Sequence, residues 1–98
     1  RQYIERQVEY YAKIMSVTYG RISMRNQKTR WGSCSSQGNL NFNNRLLFVP
    51  KELVDYVVVH ELAHRKEMNH SNAFWNVVEK YMPDYKECRK KLREYHIE

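Results

Sequence analysis

The sequence DYVVVHELAHRKEMNH occupies residues 55–70 and contains three of the four histidines of this 98-residue chain. Its apolar residues and histidines recur at three- and four-residue steps, a pattern that predicts a helix over residues 52–68. The β-branched residues 57–59 would by themselves favour a strand. Because the pattern is long and contains neither Gly nor Pro, we predict a helix that is buried on more than one side.

His60 and His64 lie four residues apart, so on a helix their side chains share one face, with Cβ atoms about 5–6 Å apart. Two imidazoles at that spacing can bind one zinc ion through their nitrogens. Glu61 follows the first histidine, and in an HExxH helix this carboxylate faces the water on the metal and can accept its proton. The sequence therefore predicts a Zn²⁺ site with Glu61 as general base. If both histidines were instead buried structural residues, the Glu61 carboxylate would lie unpaired beside an apolar run, which is costly.

A catalytic zinc ion usually has three protein ligands and keeps one position for water, so a third ligand is needed. We predict His70, because its separation from His64 lets the helix end and the chain turn back beneath the metal. Asn69 tolerates the left-handed backbone that such a helix end often uses. The alternative third ligands are Glu67, one turn beyond His64, and Glu79, on the next predicted helix.

The segments around this helix predict an α+β domain. Residues 1–17 place apolar side chains at helical spacing. Alternating patterns predict three short strands, and a further brief pairing precedes Pro50. The strands are expected at residues 21–25, 29–33 and 39–43, and the brief pairing at residues 46–49.

Two more helices are predicted after the histidine stretch. Ser71 is a plausible N-cap for a helix that continues to Tyr81. Asp84 and Glu87 form a variant of the capping box that opens a last helix. The fourth histidine, His96, is expected to be a solvated side chain.

The composition describes one small domain with a basic surface. The chain has 17 Lys and Arg against 11 Asp and Glu, a net charge of +6, and no apolar run approaches the ~18 residues that a membrane span needs. The stretch KECRKKLR at residues 86–93 is expected to be a solvated helix face, with weak nucleic-acid contact as the alternative.

Cys34 and Cys88 form no CxxC motif, so we expect both to be reduced in a cytoplasmic protein. A thiol that supplied a fourth ligand would instead indicate a nucleic-acid-associated module with a structural zinc ion.

Three segments of the chain together resemble a known family. They are RWGSCSSQGNLNFNNRLLFVP at residues 30–50, DYVVVHELAHRKEMNHSNAFW at residues 55–75, and Pro-Asp-Tyr at residues 83–85. This combination resembles the YgjP-like family of metal-dependent hydrolases, which is related to the SprT-like and Wss1-like zincin proteases. The resemblance covers most of the chain, and its motifs are far more specific than HExxH alone.

The resemblance implies a zincin-like α+β domain of the minimal gluzincin type, with a small, mostly antiparallel sheet packed on the HExxH helix and flanking helices. Carried over by motif, it implies that His60, His64 and His70 bind Zn²⁺. It also implies that Glu61 is the general base and that Trp31 packs near the site.

The activity implied by this resemblance is hydrolysis of peptide bonds in a peptide or protein substrate by Glu-activated, zinc-bound water. A metal-dependent nucleotide pyrophosphatase, acting on a substrate such as UTP, is the alternative. Family members usually carry more sequence upstream, so we expect the 98 residues to be a single domain that forms the C-terminal catalytic part of a longer protein.

Overall fold

The computed structural model describes residues 1–95, and these form four α-helices and a three-stranded sheet, the predicted α+β order. Within residues 1–95 every helix is too short or too polar to cross a lipid bilayer. The expectation for His96 lies outside the described residues. In chain order the elements are α1 (Gln2–Met15), β1 (Ile22–Arg25), β2 (Gly32–Cys34), β3 (Leu40–Asn43), a 3-10 helix (Asn44–Phe48), α2 (Lys51–Ala63), α3 (Asn72–Tyr81) and α4 (Tyr85–Leu92).

The sheet is mixed, with β3 in the centre, β1 parallel to it and β2 antiparallel to it. The parallel pairing of β1 differs from the mostly antiparallel sheet that we expected. A tight turn joins β2 to β3, and Gly38 supplies its left-handed residue with a φ of 86°, so these two strands run antiparallel. The longer loop after β1 lets that strand reach the opposite edge of β3. As a result, β2 is an edge strand.

Helix α2 runs through the middle of the fold and packs against α1, α3, α4 and β2. Residues 57–59 are buried, so burial on several sides outweighs the small helix-propensity penalty of three β-branched residues. The helix ends at Ala63, earlier than residue 68. The left-handed backbone that we expected at Asn69 is wrong. Among residues 1–95, Ser16 is the only non-glycine residue with a positive φ.

Backbone hydrogen bonds explain why α2 ends early. The amides of residues 64–66 donate to carbonyls three residues earlier, which tightens the last turn and redirects the chain. Arg65 then fixes the turn, because its Nε donates to Thr18 O at 2.9 Å and its Nη1 donates to Ser36 O at 3.2 Å. This reversal sends the following residues back across the end of α2.

Asn43 organises the loop beside the site. Its buried side chain accepts a hydrogen bond from the Arg45 amide at 2.9 Å, which starts the 3-10 helix, so the strand pairing expected at residues 46–49 is wrong. Its amide group donates to the carbonyls of Gln27 at 2.9 Å and Arg30 at 3.0 Å. These bonds hold the loop that precedes β2.

Helices α3 and α4 begin differently. Ser71 caps α3 as predicted, because its hydroxyl accepts from the Phe74 amide at 3.3 Å. The predicted capping box of α4 is wrong, because Asp84 makes no side-chain capping bond. Its backbone, with φ −94° and ψ 24°, lacks the extended conformation that directs an N-cap side chain at the free amides.

Candidate metal centre

Three imidazole rings converge where α2 ends. The ring centroids of His60 and His64 are 5.3 Å apart. The chain turns back after α2, so that His70 Nε2 lies 3.2 Å from His60 Nε2. Each residue offers one ligand nitrogen, and these nitrogens all lie within 4.8 Å of one another. The three side chains singled out in the sequence therefore form a group that can hold a metal ion.

The separation of one pair of these nitrogens fits a tetrahedral ion. Two nitrogens bound to zinc at about 2.0–2.1 Å and a tetrahedral angle lie about 3.3–3.4 Å apart. The Nε2 atoms of His60 and His70 are 3.2 Å apart. At this distance either one ring donates its Nε2 hydrogen to the other, or both Nε2 lone pairs can bind one cation.

The hydrogen bonds of the other ring nitrogens leave Nε2 available. Nδ1 of His64 lies 3.2 Å from the Glu67 carbonyl oxygen, and because a carbonyl only accepts, this Nδ1 carries the hydrogen. Nδ1 of His60 lies 3.4 Å from the Tyr56 hydroxyl. Metal-binding histidines commonly donate their second nitrogen to such a partner, which fixes both the tautomer and the ring orientation.

Burial favours the neutral form of His60 and of His64. Burial, together with the neighbouring His64 and His70, lowers the pKa of His60 from its ordinary 6.5 to about 3. Burial also lowers the pKa of His64. Since a metal binds the unprotonated imidazole, neither ring has to lose a proton at neutral pH before it can bind an ion.

Glu61 is buried next to these rings, with 5% of its surface exposed. Its side chain lies against β2 at Gly32, where a Cβ atom would be 3.2 Å from Glu61 Cγ and 3.3 Å from Oε2. Burial raises the pKa of Glu61 to about 8, partly opposed by the positive charge of Arg30. A carboxyl group with a raised pKa in a cleft has the properties of a proton acceptor, and a nearby cation lowers that pKa again.

Aromatic rings hold the segment that carries His70. Phe74 stacks on His64 with ring centroids 4.5 Å apart and meets His70 edge-on at 4.9 Å. Trp75 stacks on His70 at 6.0 Å. His70 is therefore positioned by packing although its own side chain is exposed.

The three imidazoles and Glu61 open into one cleft of about 570 Å³. Residues of α2 form its floor, and β2 with the preceding loop forms one wall. Trp31 belongs to this wall, as expected. Arg89 and Arg93, at the end of α4, line another part of the cleft.

A family profile, the YgjP-like metallopeptidase domain, matches residues 1–95. The chain belongs to the YgjP-like family. Comparison with curated protein sequences finds no match. The resemblance found in the sequence is therefore confirmed, and with it a metallopeptidase domain, whose family implies a divalent metal ion.

Two solved structures resemble this YgjP-like domain. The metallopeptidase zymogen of Pyrococcus abyssi abylysin is 26% identical, with a TM-score of 0.85 over 94% of this chain and 93% of that chain. The metallopeptidase zymogen of Methanocaldococcus jannaschii jannalysin is 23% identical, with a TM-score of 0.80 over 94% of this chain and 95% of that chain. Both likenesses confirm the predicted fold class.

The alternative ligands of the YgjP-like domain lie apart from the imidazoles. Among the described residues, the group able to hold an ion consists of the three histidines, without Glu67, Glu79 or either thiol. Glu67 contributes its backbone carbonyl to His64 instead. Cys88 is buried in the core, and Cys34 lies half-buried along the cleft.

Three residues of the YgjP-like site were missed in the sequence. Gly32 allows β2 to approach Glu61, and a glycine inside a strand pattern is a signal of such close approach. Arg89 and Arg93 belong to the stretch that we interpreted as a solvated helix face. Their four-residue spacing placed them on one helix face, but no local pattern indicates which part of the fold that face meets.

The metal-free YgjP-like domain is expected to lose stability as the pH rises from 6.5 to 8. The folded chain keeps a proton on Glu61, whose pKa is raised from 4.5 to about 8, whereas the unfolded chain has released it. Each pH unit in this window then lowers the free energy of unfolding by up to about 1.4 kcal/mol. Between pH 4.5 and 6.5 the lowered pKa of His60 acts in the opposite direction, and below pH 4.5 acid destabilises the fold.

Urea unfolding of the chelated protein at a series of pH values measures this dependence. In the Glu61→Gln variant the loss between pH 6.5 and 8 should disappear, because the amide does not titrate. An unchanged loss in that variant would show that another group causes it.

Proposed function

We propose that this YgjP-like domain is a zinc-dependent peptidase in which His60, His64 and His70 bind the metal and Glu61 is the general base. One observation carries the proposal: three imidazole nitrogens within 4.8 Å of one another lie beside a buried carboxyl group in an open cleft. The likeness to abylysin, a metallopeptidase zymogen at 26% identity, supports peptides as the substrate class.

The donor set supports zinc and a catalytic role. Three imidazoles in a compact group suit zinc better than the oxygen-preferring ions Mg²⁺ or Ca²⁺. Structural zinc normally has four protein ligands, whereas catalytic zinc has three and an open side. The three histidines facing a cleft of about 570 Å³ match the second pattern.

His60, His64 and His70 would hold the zinc ion, which would supply acidification of water and polarisation of a carbonyl oxygen. Glu61 accepts the proton of the attacking water, holds it on its carboxyl group and delivers it to the nitrogen of the departing amine. The absence of a side chain at Gly32 leaves the space in which this carboxyl group lies. Burial raises the pKa of the Tyr56 hydroxyl to about 12, so it stays protonated 3.4 Å from His60 Nδ1, where it helps to orient that ring.

Two further expectations are carried into the proposal. The family profile matches residues 1–95 as one unit, which supports a single catalytic domain. Cys34 and Cys88 are free thiols, which supports the reducing environment of the cytoplasm.

Metal content and hydrolysis test the proposed function together. The purified protein should contain about one zinc ion per chain and cleave a mixed-sequence peptide library, as measured by mass spectrometry. Chelation should abolish cleavage, and added zinc should restore it. Release of pyrophosphate from UTP without peptide cleavage would identify the protein as a nucleotide pyrophosphatase. Bound zinc without hydrolysis of either substrate would contradict the catalytic role.

A further inference from the structure

The cleft carries positive charge that the proposed proton transfer does not need. Three arginines line it: Arg30 from the loop before β2, and Arg89 and Arg93 from the end of α4. Among the described residues that line the cleft, Glu61 is the only acidic one. Arg30 acts on Glu61 by lowering its pKa, but Arg89 and Arg93 have no part in the chemistry described above.

The two arginines of α4 face the cleft as a pair. Arg89 and Arg93 lie four residues apart, which places their side chains on one helix face. Lys90 and Lys91, from the same basic stretch, line a different groove together with Glu87. The basic side chains of this stretch therefore line two different grooves, and the two arginines line the cleft that contains the histidines.

Arg89 is held in place before any ligand binds. Its guanidinium carbon lies 4.9 Å from the centroid of the Trp75 ring. Trp75 in turn stacks on Tyr85, with centroids 5.3 Å apart and an interplanar angle of 18°. A guanidinium resting on an aromatic face loses little freedom on binding and keeps the N–H groups at its edge free to donate.

Within residues 1–95, neither guanidinium group forms an ion pair with an acidic side chain. The ion pair found in this part of the chain joins Arg1 and Glu5. Two exposed cations on one wall of a cleft attract an anionic ligand group. A carboxylate matches the planar donor fork of a guanidinium, which can bind it through two parallel hydrogen bonds.

We propose that Arg89 and Arg93 bind a carboxylate of the substrate, so that the cleft selects peptides with an acidic group near the bond that is cleaved. This inference rests on the proposed peptidase function and names its substrate class. The carboxylate belongs either to an Asp or Glu side chain or to the C-terminus of the peptide, since both present the same group to the arginines.

Matched peptides test the selection. In one pair, acetylated and amidated peptides differ by Glu against Gln near the cleaved bond. In a second pair, the Gln peptide carries either a free or an amidated C-terminus. We expect kcat/KM to be about fivefold higher for the carboxylate member of at least one pair, and the preference to shrink as salt is added. The pair that shows the preference identifies the source of the carboxylate.

The double variant Arg89→Gln and Arg93→Gln should bring the kcat/KM ratio of the preferred pair close to one. Lys90→Gln removes the same charge from the same helix outside the cleft, and it should keep the wild-type ratio. Zinc content and melting temperature, measured for each variant, show that it is folded. Equal cleavage within both pairs by the wild type, or a ratio unchanged in the double variant, overturns the proposal.

A binding measurement separates this proposal from the proposed function. Zinc-loaded Glu61→Gln protein is titrated with the same peptides, and the fluorescence of Trp31 and Trp75, which both lie at the site, reports the dissociation constant. Tighter binding of the carboxylate peptide, lost in the arginine variant, supports the selection even if no peptide is hydrolysed. Equal binding of both peptides while hydrolysis proceeds in the wild type overturns the selection alone.

Discussion

Replacing Glu61 with Gln is expected to lower kcat for peptide hydrolysis by about 10²- to 10⁴-fold, the usual contribution of a general base. Gln has nearly the same shape, so it fits against Gly32 in the space that the carboxylate occupies, but its amide cannot accept a proton from water. The three imidazoles are untouched, and the zinc content should stay at the wild-type value. Single-turnover hydrolysis of a peptide and elemental analysis of the same sample measure both quantities.

Glu79→Gln is the matched control for this variant. Glu79 is an exposed residue of α3, so the same substitution there should leave both kcat and zinc content unchanged. If Glu61→Gln keeps its activity, the buried carboxyl group has a structural role. If it loses zinc along with activity, Glu61 contributes to metal binding instead of acting as the base.

Replacing His70 with Ala is expected to weaken zinc binding by more than about 100-fold, because a direct ligand contributes more than the hydrogen-bonded partner of a ligand, whose loss costs 10- to 100-fold. His70 is exposed, so its removal leaves the core intact and the metal-free melting temperature nearly unchanged. Competition with a chromogenic chelator gives the affinity, and circular dichroism gives the melting temperature. The loss of affinity can then be assigned to the missing nitrogen.

Two other variants show whether the third ligand is correctly assigned. Glu67→Gln and Glu79→Gln remove the competing carboxylates and should bind zinc as tightly as the wild type. Tyr56→Phe removes the hydroxyl that lies 3.4 Å from His60 Nδ1, and it should weaken binding by up to about tenfold. Intact zinc binding in His70→Ala combined with its loss in Glu67→Gln would identify Glu67 as the third ligand.

Local patterns in the sequence were sufficient for the helices and strands that carry the histidine group. The period of the apolar residues predicted α2 in spite of residues 57–59, because amphipathic spacing reports burial, and burial outweighs local propensity. Ser71 was recognised as a cap because an N-cap bond joins atoms only three residues apart. The four-residue spacing of His60 and His64 likewise predicted that their rings would meet, because both residues lie on the same helix one turn apart.

Features that depend on distant parts of the chain were predicted less well. The parallel pairing of β1 depends on which edge of β3 a long loop reaches. The 3-10 helix depends on Asn43, whose buried amide binds carbonyls 13 and 16 residues away. The early end of α2 is accompanied by hydrogen bonds from Arg65 to Thr18 and Ser36, which no pattern within the helix reveals.

By itself the sequence determined the residue types, their helical spacing and the family, because each is written in short stretches of the chain. Only the tertiary structure brought His70 to within 3.2 Å of His60, buried Glu61 against Gly32, and directed Arg89 and Arg93 into the cleft. These arrangements join residues from different elements, and their distances and pKa values follow from how the whole core packs. Solvent exclusion, which shifts the pKa of both Glu61 and His60, is a property of that packing and of no single segment.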